Sequence, residues 1–330
     1  MANLTTKYLG LELKNPLIVG SSGLTASADS IVKLAQNGVG AVVLKSVFEE
    51  EIQMEYQATF KDHLGEMENN LEFFDYYDYK LKDDMLRRTT DLISEVKLKS
   101  DIPIIASINC RSVGEWYAFA SKLQTAGADA LELNLFRMPV SVDEDAATIT
   151  ERYLKIIKKV KEHVSIPISV KLSPYFTDLA HVASMMEKSG VNGFVLFNRF
   201  YNPDFDLNTK RVVSSQVYSN AHDYVWPMRW VSILAGKLNA DIAASTGVHT
   251  PETFIKMLVA GASAVQIVSA LYINGPTYVL DFLHGLEKWM ESKDLRSISE
   301  VQNFGKDLLP KNPEMFERVQ FMKYYSDYQQ

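Results

Sequence analysis

Ala126-Gly127-Ala128-Asp129-Ala130-Leu131-Glu132-Leu133-Asn134 decides the fold, because the chain writes the same phrase four times. An amphipathic helical stretch stops at glycine, one or two small or polar residues follow, and a short β-rich run begins. The phrase recurs at Asn37-Gly38-Val39-Gly40 before Ala41-Val42-Val43-Leu44 and at Ser189-Gly190-Val191-Asn192 before Gly193-Phe194-Val195-Leu196. It returns at Ala260-Gly261-Ala262-Ser263 before Ala264-Val265-Gln266-Ile267. Glycine just past a helix supplies a left-handed cap, and the tight turn then enters a buried parallel strand.

Two more strands open on Ile102-Pro103 and Ile166-Pro167, because proline is tolerated at a strand's first residue. Eight strands are then expected, near 16–23, 41–47, 103–109, 130–136, 167–173, 193–199, 241–247 and 264–270. Helical patterns separate them, for example over 113–126, 148–162, 177–189 and 251–260. Alternating strands and helices demand parallel pairing with helical crossovers, and eight units favour closure, which removes both sheet edges. The expectation is a (β/α)8 TIM barrel, one domain over residues 1–330. An open doubly wound sheet is the competing fold, but no G-x-G-x-x-G follows the first strand. Two connections exceed what a crossover needs: 48–81, acidic at Glu49, Glu50 and Glu51 and then aromatic, and 200–224, with Tyr201, Asn202, Pro203 and His222. Both follow strands on the side where barrel active sites are built, as lids or as contact surfaces.

The 330 residues are 47% hydrophobic and 23% charged, enough for one large core. A net charge of −7 with both signs mixed argues against nucleic acid or an anionic membrane as partner. One cysteine, Cys110, excludes an internal disulfide and a cysteine-based metal cluster. Without a signal-like N-terminus or a run long enough to span a bilayer, the expected location is the cytoplasm. Six histidines (63, 163, 181, 222, 249 and 284) show no zinc-site spacing, so no metal is expected.

Buried parallel strands should be apolar throughout, so polar residues at their C-terminal ends need a reason. Here they are Lys45 and Ser46, Asn109, Asn134, Lys171, Asn198, Ser245 with Thr246, and Ser269. Two lysines and three asparagines would meet at one mouth. Asparagines donate and accept along the edge of a planar heterocycle, while buried lysines balance negative charge. The small loops after the last two strands, Ser245-Thr246-Gly247-Val248 and Val268-Ser269-Ala270, can offer backbone N–H groups, and in barrels that place often holds a phosphate. A phosphate-tailed redox heterocycle fits this set better than a bare sugar phosphate.

Asn15-Pro16…Ser21-Ser22-Gly23, Leu44-Lys45-Ser46, Glu132-Leu133-Asn134-Leu135 and Val170-Lys171-Leu172-Ser173-Pro174 resemble the class 1 dihydroorotate dehydrogenases. So do Ser245-Thr246-Gly247-Val248, Gly261-Ala262-Ser263-Ala264-Val265-Gln266-Ile267 and Gly275-Pro276, in family order over nearly the whole chain. The resemblance implies a TIM barrel of pyrimidine metabolism with FMN over its mouth and the phosphate at the last two strand loops. It implies flavin or substrate contacts at Ser22, Lys45, Asn134, Lys171, Asn198 and Gly247, with Lys171 neutralising the flavin's N1/C2 edge. Ser46, Asn109, Ser245, Thr246, Val268 and Ser269 join the cofactor set by position.

The chain also departs from the family. Where the family carries a catalytic cysteine or serine, this sequence reads Asn134-Leu135-Phe136-Arg137-Met138-Pro139, so Arg137 takes the place of the base. The family's Gly-rich segment after strand 6 is Ser219-Asn220-Ala221-His222, and the Gly-Thr of strand 8 is Val268-Ser269. The expected catalytic set is therefore Lys171, Asn134 and Arg137, acting on a CH–CH bond of a small planar substrate. A lyase or aldolase forming a Schiff base on Lys171 and a non-catalytic flavin-binding protein are the other readings. The expected partners are a small-molecule substrate, an external electron acceptor and a second copy in a homodimer.

Overall fold

A computed structural model of the chain describes residues 2–48, 71–109, 116–135, 138, 140–200 and 202–308. Eight strands close into a barrel: β1 Leu17–Val19, β2 Ala41–Val43, β3 Ile104–Asn109, β4 Ala130–Asn134, β5 Ile168–Leu172, β6 Gly193–Leu196, β7 Asp241–Ser245 and β8 Ala264–Ile267. Neighbours pair in parallel all the way round, with β8 against β1 (Gln266 opposite Ile18) and β2 against β3 (Val42 opposite Ile104) closing the ring. Each strand lies within the stretch that the glycine and proline signals mark. The glycines after the helices do take the left-handed conformation: φ is +98° at Gly38, +108° at Gly127, +99° at Gly190 and +107° at Gly261.

Helices Ala28–Gln36, Leu71–Lys99, Trp116–Thr125, Ala146–Lys161, Leu179–Lys188, Val225–Leu234, Pro251–Val259 and Val279–Ser292 wrap the barrel. Leu71–Lys99 begins ten residues before the end of the long connection expected at 48–81. Phe73, Phe74, Tyr76, Tyr77 and Tyr79 of that connection belong to this helix, while Glu49, Glu50 and Glu51 lie outside the described residues; no glycine or proline interrupts the chain from 66 to 102, so nothing stops a helix there. The connection after β6 contains an antiparallel ribbon, Pro203–Asp206 with Arg211–Ser214, whose residues are all exposed except the half-buried Asp206.

The floor of the barrel is plugged. Strands Thr6–Tyr8 and Leu11–Leu13 form a hairpin whose two turn residues, Leu9 and Gly10, both have positive φ, the twist a two-residue hairpin requires. Tyr8, Leu9 and Leu13 pack beneath Ile18, Val43, Ile105, Ala130, Val195, Ala243 and Ala264, which face the barrel axis. A half-buried Asp241 carboxylate accepts the Leu9 N–H at 2.7 Å and ties the plug in place. With one end sealed, the other is left to open on a site. Among the described residues no helix is long and apolar enough to cross a membrane.

Candidate functional site at the barrel mouth

Three buried polar side chains meet inside the barrel above the plug. The Glu132 carboxylate of β4 accepts the Gln266 amide of β8 at 2.6 Å. Gln266 in turn accepts from Lys171 Nζ of β5 at 2.9 Å, and Lys171 Nζ lies 3.6 Å from Glu132. Strands β4 and β8 are not neighbours, so these groups can touch only across the barrel axis. All three are buried. The second Glu132 oxygen has no hydrogen-bond donor among the described residues and faces Lys171 as an ion-pair partner alone. Burial first, and the Glu132 charge second, push the Tyr8 phenol well above its usual range, so the phenol beneath the site stays neutral.

Alternation along each strand then sets the next layer up. Asn109, Asn134 and Lys171 are opposite one another in register across β3, β4 and β5, a polar row at the rim of the axis. Asn134 Oδ1 accepts the amide of Asn198 at 2.9 Å, which brings the end of β6 into the row. Beside it, Ser46 Oγ lies 2.6 Å from Ser107 Oγ and 3.1 Å from Ser21 Oγ. Lys45 is exposed at the end of β2, and Ser22 turns its hydroxyl back to the Gly20 carbonyl at 3.2 Å.

A cavity of about 550 Å³ opens over one side of this row. Lys171, Gln266, Ser21 and Asn198 line it. So do Ser245, Thr246, Gly247, Val248, Val268 and Ser269 of the last two strand ends, and Ser214 with Gln216 to Ser219 of the loop after β6. Lys45, Ser46, Asn109, Asn134 and Ser22 are not among its lining residues, although Asn134 reaches it through Asn198. Arg137 and Cys110 lie outside the described residues.

The β7 turn is shaped for close approach. Thr246 and Gly247 have φ of +83° and +79°, and a Cβ on Gly247 would sit 2.0 Å from the Tyr224 backbone nitrogen. Thr246 holds its strained backbone by donating its hydroxyl to the Phe197 carbonyl at 3.1 Å. Arg199, just past β6, fixes the loop that follows as firmly: it donates to the carbonyls of Val217, Gln216 and Tyr218 at 2.5, 2.8 and 2.7 Å. Among the described residues no cluster of histidine, cysteine and carboxylates could hold a metal ion. Glu132, Gln266, Ser219, His249 and Arg199 were not among the residues expected from the sequence. Glu132 and Gln266 carried a signal, each a polar residue inside a buried strand, and Ser219 carried another as part of the segment that replaces the family's glycines. His249 and Arg199 become visible only when loops meet.

The sequence profile of the family described as dihydroorotate dehydrogenase matches residues 3–290. The chain is 26% identical over 320 residues to the dihydroorotate dehydrogenase B (NAD(+)) catalytic subunit of Thermoplasma acidophilum, covering 91% of this chain and 98% of that one. It is 26% identical over 318 residues to the protein of the same name from Methanothermobacter thermautotrophicus, covering 92% and 99%. A putative dihydroorotate dehydrogenase A (fumarate) of Aeropyrum pernix is 28% identical over 227 residues, 66% of this chain and 72% of that one.

Proposed function

The chain belongs to the dihydroorotate dehydrogenase family, and from that premise we propose that it is an FMN-dependent oxidoreductase acting on a CH–CH bond of a small planar substrate. The observation that most supports this is one cavity joining a buried lysine to the two small loops after β7 and β8. Its volume of about 550 Å³ lies in the range of ordinary cofactor sites, and Gly247 lets the β7 turn that lines it pack against the Tyr224 backbone, where any side chain would collide. Bound FMN would supply the hydride acceptor. The protein's own groups would bind and orient: Asn134, Asn198 and Asn109 along the ring edge, and Lys171 and Lys45 as cations beside it. Backbone and hydroxyl groups at Ser245, Thr246, Gly247, Val268 and Ser269 would hold the phosphate, with Ser22 and Ser46 on the far side of the mouth.

At the place of the family's base stands Arg137, and a guanidinium stays protonated at any working pH. It cannot take the substrate's proton. In this reading it clamps a carboxylate or phosphate of the substrate, a role suited to its planar fork. Oxidation of dihydroorotate itself is therefore expected to be slow, and the natural substrate is a different anionic compound. The lyase reading is weaker, because a Schiff-base amine must be neutral and Lys171 stands in an ion pair with Glu132. The assembly proposed is a cytoplasmic homodimer passing electrons to an external acceptor. The ribbon Pro203–Asp206 with Arg211–Ser214, marginal by itself in water, leaves Phe205 and Val212 uncovered.

The test is an anaerobic screen of dihydropyrimidines and related carboxylates against the FMN-loaded protein, read as bleaching of the flavin's visible absorbance. One of them should bleach the wild type, and Lys171→Ala should slow that bleaching far more than it weakens FMN binding. If Lys171→Ala loses FMN yet reduces what remains at the wild-type rate, Lys171 does not serve the ring.

A further inference from the structure

The loop after β6 comes down on the cavity at Ser219, directly after the three carbonyls that Arg199 holds. Ser219 donates its backbone N–H to Ser269 Oγ at 3.1 Å, and its own Oγ lies 2.8 Å from His249 Nε2. Both serines line the cavity, beside Ser245–Val248. His249 follows Val248 and is half-buried behind Ser219. This contact joins three segments, the loop after β6 and the turns after β7 and β8, in one small network.

Counting protons shows what the network can do. Ser269 Oγ accepts from Ser219, so its own hydroxyl proton remains available for another acceptor. The Ser219 hydroxyl depends on the imidazole. With a proton on Nε2 the ring donates to Ser219 Oγ and the hydroxyl proton turns away from the ring. With Nε2 bare, the hydroxyl proton points to the ring and the oxygen offers only lone pairs. A phosphate carries acceptors alone, so it is served by the first arrangement and repelled by the second. Burial, opposed by Ser219 and Asp223, holds His249 below the usual imidazole value, which favours the neutral ring, and the first arrangement then requires the tautomer protonated on Nε2.

We infer that Ser219 and Ser269 form a two-hydroxyl clamp for the phosphate of the bound flavin, and that His249 is a positioning residue that aims the Ser219 proton. The inference rests on the FMN reading above and goes beyond it. In this chain side chains replace the glycine-rich segment that the family resemblance leads one to expect after strand 6. The clamp reads the phosphate and not the ring, so it makes the site prefer FMN to riboflavin.

The test titrates flavin-free full-length protein with FMN and with riboflavin, followed by quenching of flavin fluorescence. Ser219→Ala and Ser269→Ala should each weaken FMN about 10-fold, the loss of one hydrogen bond to a charged group. Riboflavin affinity should not change, which also reports that the variants are folded. His249→Phe should match Ser219→Ala, the double variant should be no weaker than either, and His249→Gln, which keeps a donor at the same place, should restore FMN binding. Equal losses for FMN and riboflavin, or no loss for FMN, would overturn the clamp while leaving the flavin reading in place. A wild type that binds neither flavin would overturn both.

Discussion

Glu132→Gln removes the counter-charge of Lys171 and keeps the size of the side chain. The Glu132 side chain is 1% exposed and that of Lys171 11%, with 3.6 Å between the charged atoms. At that distance the attraction is about 4–5 kcal/mol for an effective dielectric of about 20, and desolvation of the two groups offsets part of it. Breaking a buried pair by removing one partner costs about 3–5 kcal/mol. Lys171 keeps its 2.9 Å bond to Gln266 and some access to the mouth, so Glu132→Gln should cost about 3 kcal/mol, the lower end of that range. Lys171→Met should cost more, about 4–5 kcal/mol, because Glu132 lies deeper and keeps only the Gln266 amide. The double variant restores neutrality and should lose at least about 2 kcal/mol less than the sum of the single losses. Urea unfolding of the flavin-free proteins at pH 7 and low salt measures all four corners of the cycle. Losses that add to within about 0.5 kcal/mol would refute the coupling, and with it the claim that Lys171 is held by a charge across the barrel.

Gly247→Ala should weaken FMN binding and cost at least about 2 kcal/mol, since it adds strain at φ +79° to a collision with Tyr224. Gly10→Ala is its control, with φ +74° but open space around the new Cβ, and should lose only about 1 kcal/mol with FMN affinity intact; equal effects in the two variants would remove the role given to the β7 turn. In a dihydroorotate assay the FMN-loaded wild type should be slower than a base-containing enzyme by about 10²–10⁴-fold, and Arg137→Cys should gain activity. Brisk wild-type turnover would mean that another group takes the proton.

The barrel was legible because its signals are local. A glycine cap followed by a β-rich run fixes both the end of one helix and the start of the next strand, and Gly38, Gly127, Gly190 and Gly261 all adopt the conformation that this reading needs. The polar row Asn109, Asn134 and Lys171 was legible for a related reason: equivalent positions on successive parallel strands fall in register. What holds Lys171 was not. Glu132 and Gln266 are 134 positions apart and meet only because the sheet closes, a partner choice no local pattern encodes. Ser219 and His249 belong to different loops, 30 residues apart, and their contact depends on where Arg199 pins the first of them. The helix Leu71–Lys99 was concealed by composition, since its run of aromatics looked like part of a loop although no helix breaker interrupts it.

FMN binding at the mouth of this barrel, as proposed, is tested by the absorption spectrum of the purified protein before and after incubation with FMN, with the bound cofactor released and quantified. The expected result is a flavin spectrum shifted from that of free FMN, with FMN recovered in an amount equal to the chain. A protein that stays colourless after incubation and gel filtration would contradict it.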